Sequence, residues 1–279
     1  MKSLAQEDFQ FLARLLRRRS GLSLTPEKLA LVERRLIPVM RRFGFRSAAG
    51  LVAELRHGRD TLAAAVTEAV TVNETSFFRD AGLFDHFAKV LLPGMLALRG
   101  TSRRLRIWCA AASSGQEAYS IAMVLDELGL AAAGWSVDLI ATDLSREAVA
   151  RAAEGRYDAL EMARGLDEDQ RTRWFRHEGE HWCVAPHLRR MVDFRAFNLL
   201  DSLGWLDDLD FVFCRNVLLY FTNAARAGVL ERIGETMAED GMLILGDAES
   251  CDSGAFVPAS RHQGVYLKNR APVTRLVAL

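Results

Sequence analysis

Apolar residues recur along the first seventy positions at helical rather than strand spacing. Phe9, Leu12, Leu15 and Leu16 share one face within residues 3–19. Thr25-Pro26-Glu27 then reads as an N-cap followed by proline at the first helical position. Leu29, Val32, Leu36, Val39 and Phe43 form the apolar stripe behind it. Pro38 falls inside that stripe, which predicts a kink or a break there. Ser47 opens a further helix to about Arg56, and Asp60 one to about Val70. Residues 1–72 therefore read as a small all-α domain with no strand signal.

From residue 80 the pattern changes. A helix over about 80–98 ends near Gly100. Strands then alternate with helices: LRIWCAA (105–111), a helix over 115–129, SVDLIATD (136–143), a helix over 145–155, DLDFVFCRN (208–216), a helix over 223–237 and GMLILGDAE (241–249). Such alternation predicts an α/β domain with a mostly parallel, doubly wound sheet, its crossovers right-handed. Residues 176–195 break the rhythm, with HWCV and MVDF on either side of Pro186. They read as a short antiparallel hairpin inserted into a sheet domain that spans 73–279.

Composition adds little to class and more to distribution. The chain has 279 residues, half of them hydrophobic and about a quarter charged, with no net charge. No window approaches the roughly 20 apolar residues of a membrane helix. The start, MKSLAQEDFQFLARLLRRRS, carries acids and lacks the apolar run of a signal peptide, so a cytoplasmic protein is expected. Cys109, Cys183, Cys214 and Cys251 form no CxxC pair and no metal-ligand spacing, and read as reduced core residues. Residues 1–80 hold 14 Lys+Arg against 9 Asp+Glu, and the remainder 22 against 27. A basic helical region on an acidic larger one suits an acidic partner, or is simply a solvated basic surface.

In an open α/β sheet, ligands bind beyond the carboxyl ends of the strands at the switch point. After the first strand comes AAASSGQE (110–117), whose small residues let backbone approach a ligand closely. Its single glycine makes a phosphate cradle a poor fit, and a plain tight turn stays open as a reading. The second strand ends in Asp143, placed either for a ribose diol or as a cap for the helix after it. FVFCRNVLLYF (211–221) delivers Arg215 and Asn216 to the end of a very apolar strand, where they need a ligand or an internal network. TVNETSFFRD (71–80) packs polar groups around Phe77-Phe78, as a plain linker or as a loop closing over a cofactor.

Taken together and in order, TVNETSFFRD, RIWCAAASSGQEAYSIAM, ATD at 141–143, FNLLD at 197–201 and FCRNVLLYF resemble the CheR-type chemotaxis receptor glutamate methyltransferases. The resemblance runs over nearly the whole chain. It implies a class I methyltransferase (Rossmann-like) sheet domain with an inserted β-subdomain, preceded by a helical receptor-docking domain. It implies S-adenosylmethionine as cofactor, S-adenosylhomocysteine as product, and glutamate methyl esters on receptors as the outcome. By motif position, Asn73, Thr75 and Arg79 look like cofactor contacts from the closing loop, Glu117 like a ligand in the first turn, and Asp143 like the ribose ligand. Asn198 with Leu199, and Arg215 with Asn216, look like further cofactor contacts. The family often has an acid where Gln116 stands and proline where Ala118 stands, which puts the acidic role on Glu117.

The chemistry implied needs neither a general base nor a metal, because a glutamate carboxylate is already ionised at neutral pH. Arg79 and Tyr220 are expected to orient that carboxylate. Arg34 with Arg41, and Arg35 with Arg42, are seven apart on adjacent helix faces and are expected to dock an acidic receptor helix. The compact connection from Phe175 to Asn198 suggests a form independent of a receptor C-terminal tethering peptide. A monomer is expected, without membrane insertion or nucleic-acid binding. Two other readings stand: a nucleic-acid methyltransferase, and a non-catalytic module that senses S-adenosylmethionine or its product.

Overall fold

A computed structural model of the chain describes residues 4–71, 74–259 and 264–269. The helical part holds α1 (Gln6–Ser20), α2 (Leu29–Phe43), α3 (Ala48–Arg56) and α4 (Asp60–Val70), with a 3-10 turn at Pro26–Lys28 before α2. They enclose a core of their own built on Leu12, Leu16, Leu36, Leu51, Leu62 and Val66, all fully buried. Each helix stops for a local reason. Gly21 and Gly44 end α1 and α2 in the left-handed conformation, and the Ser47 side chain accepts from the Gly50 amide to start α3. Pro38 does not break α2, which runs on to Phe43. The lost hydrogen bond is outweighed by the burial of Val32, Leu36, Val39 and Met40 on both sides of it.

The second part begins with α5 (Ala81–His86), a π-helical turn at Phe87–Leu91 and α6 (Leu92–Leu98). By composition alone Ala81–Leu98 is long and apolar enough to cross a membrane, which the sequence reading did not expect. Here Phe84, Phe87, Leu91, Leu92 and Met95 are instead packed under the sheet. There follow β1 (Arg104–Ala110), α7 (Gln116–Glu127), β2 (Ser136–Asp143), α8 (Arg146–Glu154), β3 (Arg156–Tyr157), α9 (Ala159–Ala163) and α10 (Glu168–Trp174). Next come β4 (Phe175–Glu178), β5 (His181–Val184), α11 (Pro186–Met191), β6 (Val192–Ala196), β7 (Leu209–Phe213), α12 (Asn223–Thr236), β8 (Met237–Ile244), β9 (Phe256–Pro258) and β10 (Val265–Lys268).

The main sheet has the order β6-β2-β1-β7-β8-β10-β9. Its first five strands are parallel, and β10 runs antiparallel to both of its neighbours. Alternate residues of the central strands feed opposite faces. Ile107, Cys109, Phe211 and Phe213 pack towards α5–α7, while Trp108, Val212 and Cys214 pack towards α12. The chain leaves β1 towards β2 on one side and reaches β7 on the other, so the switch point lies between the ends of β1 and β7.

The inserted region differs from the hairpin expected over 176–195. HWCV is the middle strand of a separate antiparallel sheet of order β3-β5-β4, paired with Phe175–Glu178 and with Arg156–Tyr157. MVDF belongs to the main sheet, where β6 runs parallel to β2. Pro186 opens α11 rather than a turn, at the position where its missing N–H costs nothing. The subdomain is fixed to the loop before α5 at Gly165, which has φ 93°, and a Cβ there would fall 1.8 Å from the Phe77 carbonyl oxygen. Gly165→Ala is therefore expected to cost about 2–4 kcal/mol, read as a lower urea midpoint with an unchanged slope. Wild-type stability would show that the Phe77 contact is not rigid.

Candidate active site

The carboxyl ends of four strands and a segment of the helical part converge on one cleft with about 850 Å³ of empty space. Ala111–Ser113 follow β1, Asp143 and Leu144 end β2, Phe197–Leu199 follow β6, and Arg215–Val217 with Tyr220 follow β7. Thr71, Glu74, Thr75 and Arg79 close it from the loop before α5. Ser20 and Leu22 complete the wall from the end of α1, a contribution that sequence spacing did not signal. This seam is held by backbone: Leu22 bridges Phe221, the Ser23 amide donates to the Tyr220 carbonyl at 2.8 Å, and Thr222 donates to Gly21 at 3.2 Å.

The turn after β1 is strained. Ala111, Ser113 and Gly115 have φ of 58°, 53° and 95°. Left-handed backbone costs a non-glycine residue about 1–2 kcal/mol. It is held by the Ala112 amide on the Thr142 carbonyl at 2.9 Å and by the Ser113 amide on the Asp143 carboxylate at 2.8 Å. Gly115 has no alternative, since a Cβ would lie 2.9 Å from that of Ala152. The outcome is a tight, largely buried turn whose small residues Ala111–Ser113 line the cleft.

Asp143 joins the first two strand ends. Its carboxylate accepts from Ser113 at 2.8 Å and from Ser145 at 2.9 Å, while its side chain also lines the cleft. Burial pushes its pKa up, and the amides of Ser145, Ser113 and Leu144 oppose that. A carboxylate has about four lone-pair sites, and three of these are met by main-chain amides. Of the two readings made from sequence, the cap of α8 falls to Ser145, whose side chain accepts from the Ala148 amide, while Asp143 organises the turn after β1 and lines the cleft.

Arg215 has no exposed side-chain surface. One terminal nitrogen donates to Glu117 at 2.7 Å and the other to Asp80. Burial alone would lower its pKa, but Glu117 and Asp80 outweigh it and hold the charge firmly. The second Glu117 oxygen accepts from the Cys109 thiol at 3.3 Å, a thiol that burial keeps protonated. Glu117 and Arg215 both line the cleft as expected, yet each is already engaged within the protein, Arg215 by Glu117 and Asp80 and Glu117 by Arg215 and Cys109. The Arg215 Nε is buried and has no partner among the described residues. Asp80 was not singled out from sequence. It is the last residue of TVNETSFFRD, and only the fold brings it to Arg215.

The remaining expected residues divide. Thr75, Arg79, Asn216 and Tyr220 line the cleft, with the Lys28 ammonium 5.5 Å from the Tyr220 ring centre. Leu199 lines it too. Asn198 does so with its side chain engaged, Nδ2 donating to the Arg19 carbonyl at 2.6 Å and Oδ1 accepting from Leu200 at 3.1 Å. Asn73 lies outside the described residues. Of the docking arginines, Arg34, Arg41 and Arg42 are exposed. Arg35 is a correction: half-buried, it donates to the carbonyls of Val70, at 2.8 Å, and Thr71, where the chain leaves α4 for the cleft.

A mostly parallel sheet with an acid at the end of its second strand, and a turn of small residues after its first, is the arrangement of a class I S-adenosylmethionine-dependent methyltransferase. The adenosine and methionine parts fit the residues present: the Asp143 carboxylate at the end of β2, the small residues Ala111–Ser113 after β1, and the buried Arg215 Nε without a partner among the described residues. Residues 73–260 match the family model described as CheR methyltransferase, SAM binding domain, and residues 7–71 match that for the CheR all-alpha domain. The chain belongs to the CheR methyltransferase family. It is 40% identical over 257 residues to chemotaxis protein methyltransferase 1 of Pseudomonas aeruginosa, covering 90% of this chain and 93% of that protein. It is 38% identical to chemotaxis protein methyltransferase Cher2 of Pseudomonas putida over 87% of this chain and 90% of that one. The corresponding figures for the chemotaxis protein methyltransferase of Vibrio parahaemolyticus are 36%, 89% and 90%.

Glu117→Ala distinguishes pairing from ligand contact. Leaving Arg215 half-paired is expected to lower unfolding stability by about 3 kcal/mol as well as weakening S-adenosylhomocysteine binding. Weaker binding with wild-type stability would make Glu117 a ligand first. Asp143→Ala is expected to weaken the same binding roughly tenfold or more by calorimetry, and unchanged affinity would remove the ribose assignment.

Proposed function

We propose that the protein transfers the methyl group of S-adenosylmethionine to glutamate side-chain carboxylates on the helical cytoplasmic region of chemotaxis receptors, forming methyl esters. The observation that carries this reading is the state of the acids around the cleft. Asp143 is bound to amides, Glu117 to Arg215 and Cys109, and Glu74 is paired with Arg164 at 3.4 Å on the exposed rim. No histidine is among the lining residues described. Each of the described lining acids already has a protein partner, which supports a nucleophile that arrives without its proton. A glutamate carboxylate, which ordinarily titrates at about 4.3, does so at neutral pH, whereas a lysine amine at about 10.4 does not.

When bound, S-adenosylmethionine supplies an electrophilic methyl on a sulfonium with a good leaving group. The protein's own work is alignment and exclusion of water. Asp143 holds the ribose hydroxyls, Asn216 and Leu199 face the rest of the cofactor, and Arg79 and Tyr220 orient the incoming carboxylate at the mouth. Opposite charges disappear as the methyl moves, so a site of low polarity favours the transition state over separated, hydrated ions. Too tight a grip on the carboxylate would stabilise the ground state equally, which suits a phenol and a half-exposed guanidinium to the task.

Receptor engagement is assigned to the exposed Arg34, Arg41 and Arg42 of α2, rather than to a C-terminal tethering peptide, with Arg35 anchoring the helix beneath them. Arg79→Ala and Tyr220→Phe are each expected to slow single-turnover methyl transfer roughly tenfold or more, with S-adenosylhomocysteine affinity changed far less for Tyr220→Phe. Unchanged rates would remove their roles. Reversing charge at Arg34, Arg41 and Arg42 together should reduce receptor methylation about tenfold while sparing cofactor affinity. Equal methylation by that variant would place receptor docking elsewhere.

A further inference from the structure

We propose that Glu249 is a positioning residue for methyl transfer, its carboxylate setting the turn that presents Asn216 to the cofactor and Tyr220 to the substrate. Glu249 is buried, and among the described residues no cation lies within ion-pair distance of it. Its carboxyl group accepts from five main-chain amides. Oε1 accepts from Val217 at 2.9 Å, Leu218 at 2.8 Å and Leu219 at 3.2 Å, and Oε2 from Asn216 at 2.6 Å and Gly246 at 2.9 Å.

Four consecutive amides converge on one anion because Asn216 takes φ 57° and the 3-10 turn Leu218–Tyr220 follows at once. Successive N–H groups in such a left-then-right-handed run form a concave anion-binding nest. In an enzyme the natural occupant of a nest beside the site is a ligand, but here the protein's own carboxylate fills it from behind. The consequence is directional. With its amide turned back to Glu249, Asn216 faces the cleft with its side chain, and Tyr220 is set at the mouth by a turn capped at its start.

The fit leaves no slack. Five donors saturate a carboxylate, which has about four lone-pair sites, whereas a glutamine would set its own NH2 against one pair or trio of N–H groups. A Cβ on Gly246 would lie 2.5 Å from Asn216 Nδ2 and 3.0 Å from Glu249 Oε2. The carboxylate also ties the end of β7 to that of β8, continuing the Cys214 amide to Ile244 carbonyl bond of 2.9 Å.

The test is Glu249→Gln, alone and with Tyr220→Phe, in the full chain. Single-turnover methyl transfer to receptor-bearing membranes is measured at saturating S-adenosylmethionine, and S-adenosylhomocysteine affinity by calorimetry, well below each variant's unfolding midpoint. Glu249→Gln should slow transfer roughly tenfold or more and weaken S-adenosylhomocysteine several-fold, and the double variant should be no slower than the slower single one. A wild-type rate and affinity, or two rate losses that multiply, would overturn the proposal. Part of this rests on the role proposed for Tyr220. If Tyr220→Phe alone left the rate unchanged, that role would fail by itself, and the affinity loss acting through Asn216 would still decide for or against Glu249. Gly246→Ala crowds the same two side chains with the carboxylate intact, and it should reproduce both losses even where Glu249→Gln does not fold. An unchanged Gly246→Ala enzyme would contradict the assignment.

Discussion

A guanidinium with no exposed surface must be compensated on the spot, and Arg215 is compensated by two carboxylates from different parts of the chain. Asp80 belongs to the loop that closes the cleft, Glu117 to the helix after β1, and Arg215 itself to the end of β7. Losing either acid would strand a buried charge, at a cost of several kcal/mol. That constraint draws three walls of the cleft together before any ligand arrives. The loop cannot drift from the sheet without breaking an ion pair, and the first turn cannot relax without moving Glu117.

Strain and compensation are arranged around that point. Ala111, Ser113, Asp80 and Asn216 all adopt left-handed backbone at the rim of the cleft, where the main chain must turn sharply away from the sheet. Three of these turns are held by a neighbouring charged side chain: Ser113 by Asp143, Asn216 by Glu249, and Asp80, through its side chain, by Arg215. The acids of the site are thus structural first. Their engagement is also what supports the proposal of a nucleophile that brings its own charge.

The sheet and its strand ends were legible because period and punctuation agree there. LRIWCAA, SVDLIATD and FVFCRN are apolar runs, and the residues at their ends, Ala111, Asp143, Arg215 and Asn216, do reach the cleft. The inserted sheet was not legible, because HWCV and MVDF have the same local pattern and differ only in distant partners. Pro38 misled for a related reason: propensity says break, while four buried side chains on α2 say continue. Arg35 was placed on a docking face by its spacing from Arg42, but a spacing cannot show that carbonyls of Val70 and Thr71 wait beside it. Ser20, Asp80 and Glu249 were unseen because each acts on a segment many residues away.

The central claim is that the site aligns an already ionised carboxylate and contains no catalytic base. The pH dependence of single-turnover methyl transfer to receptor-bearing membranes, at saturating S-adenosylmethionine, tests it most directly. A rate that is flat from about pH 6 to pH 9 and falls only as the substrate carboxylate becomes protonated is expected. A rate that climbs roughly tenfold per unit between about pH 6 and pH 8 would reveal a group that must lose a proton first, and would contradict it.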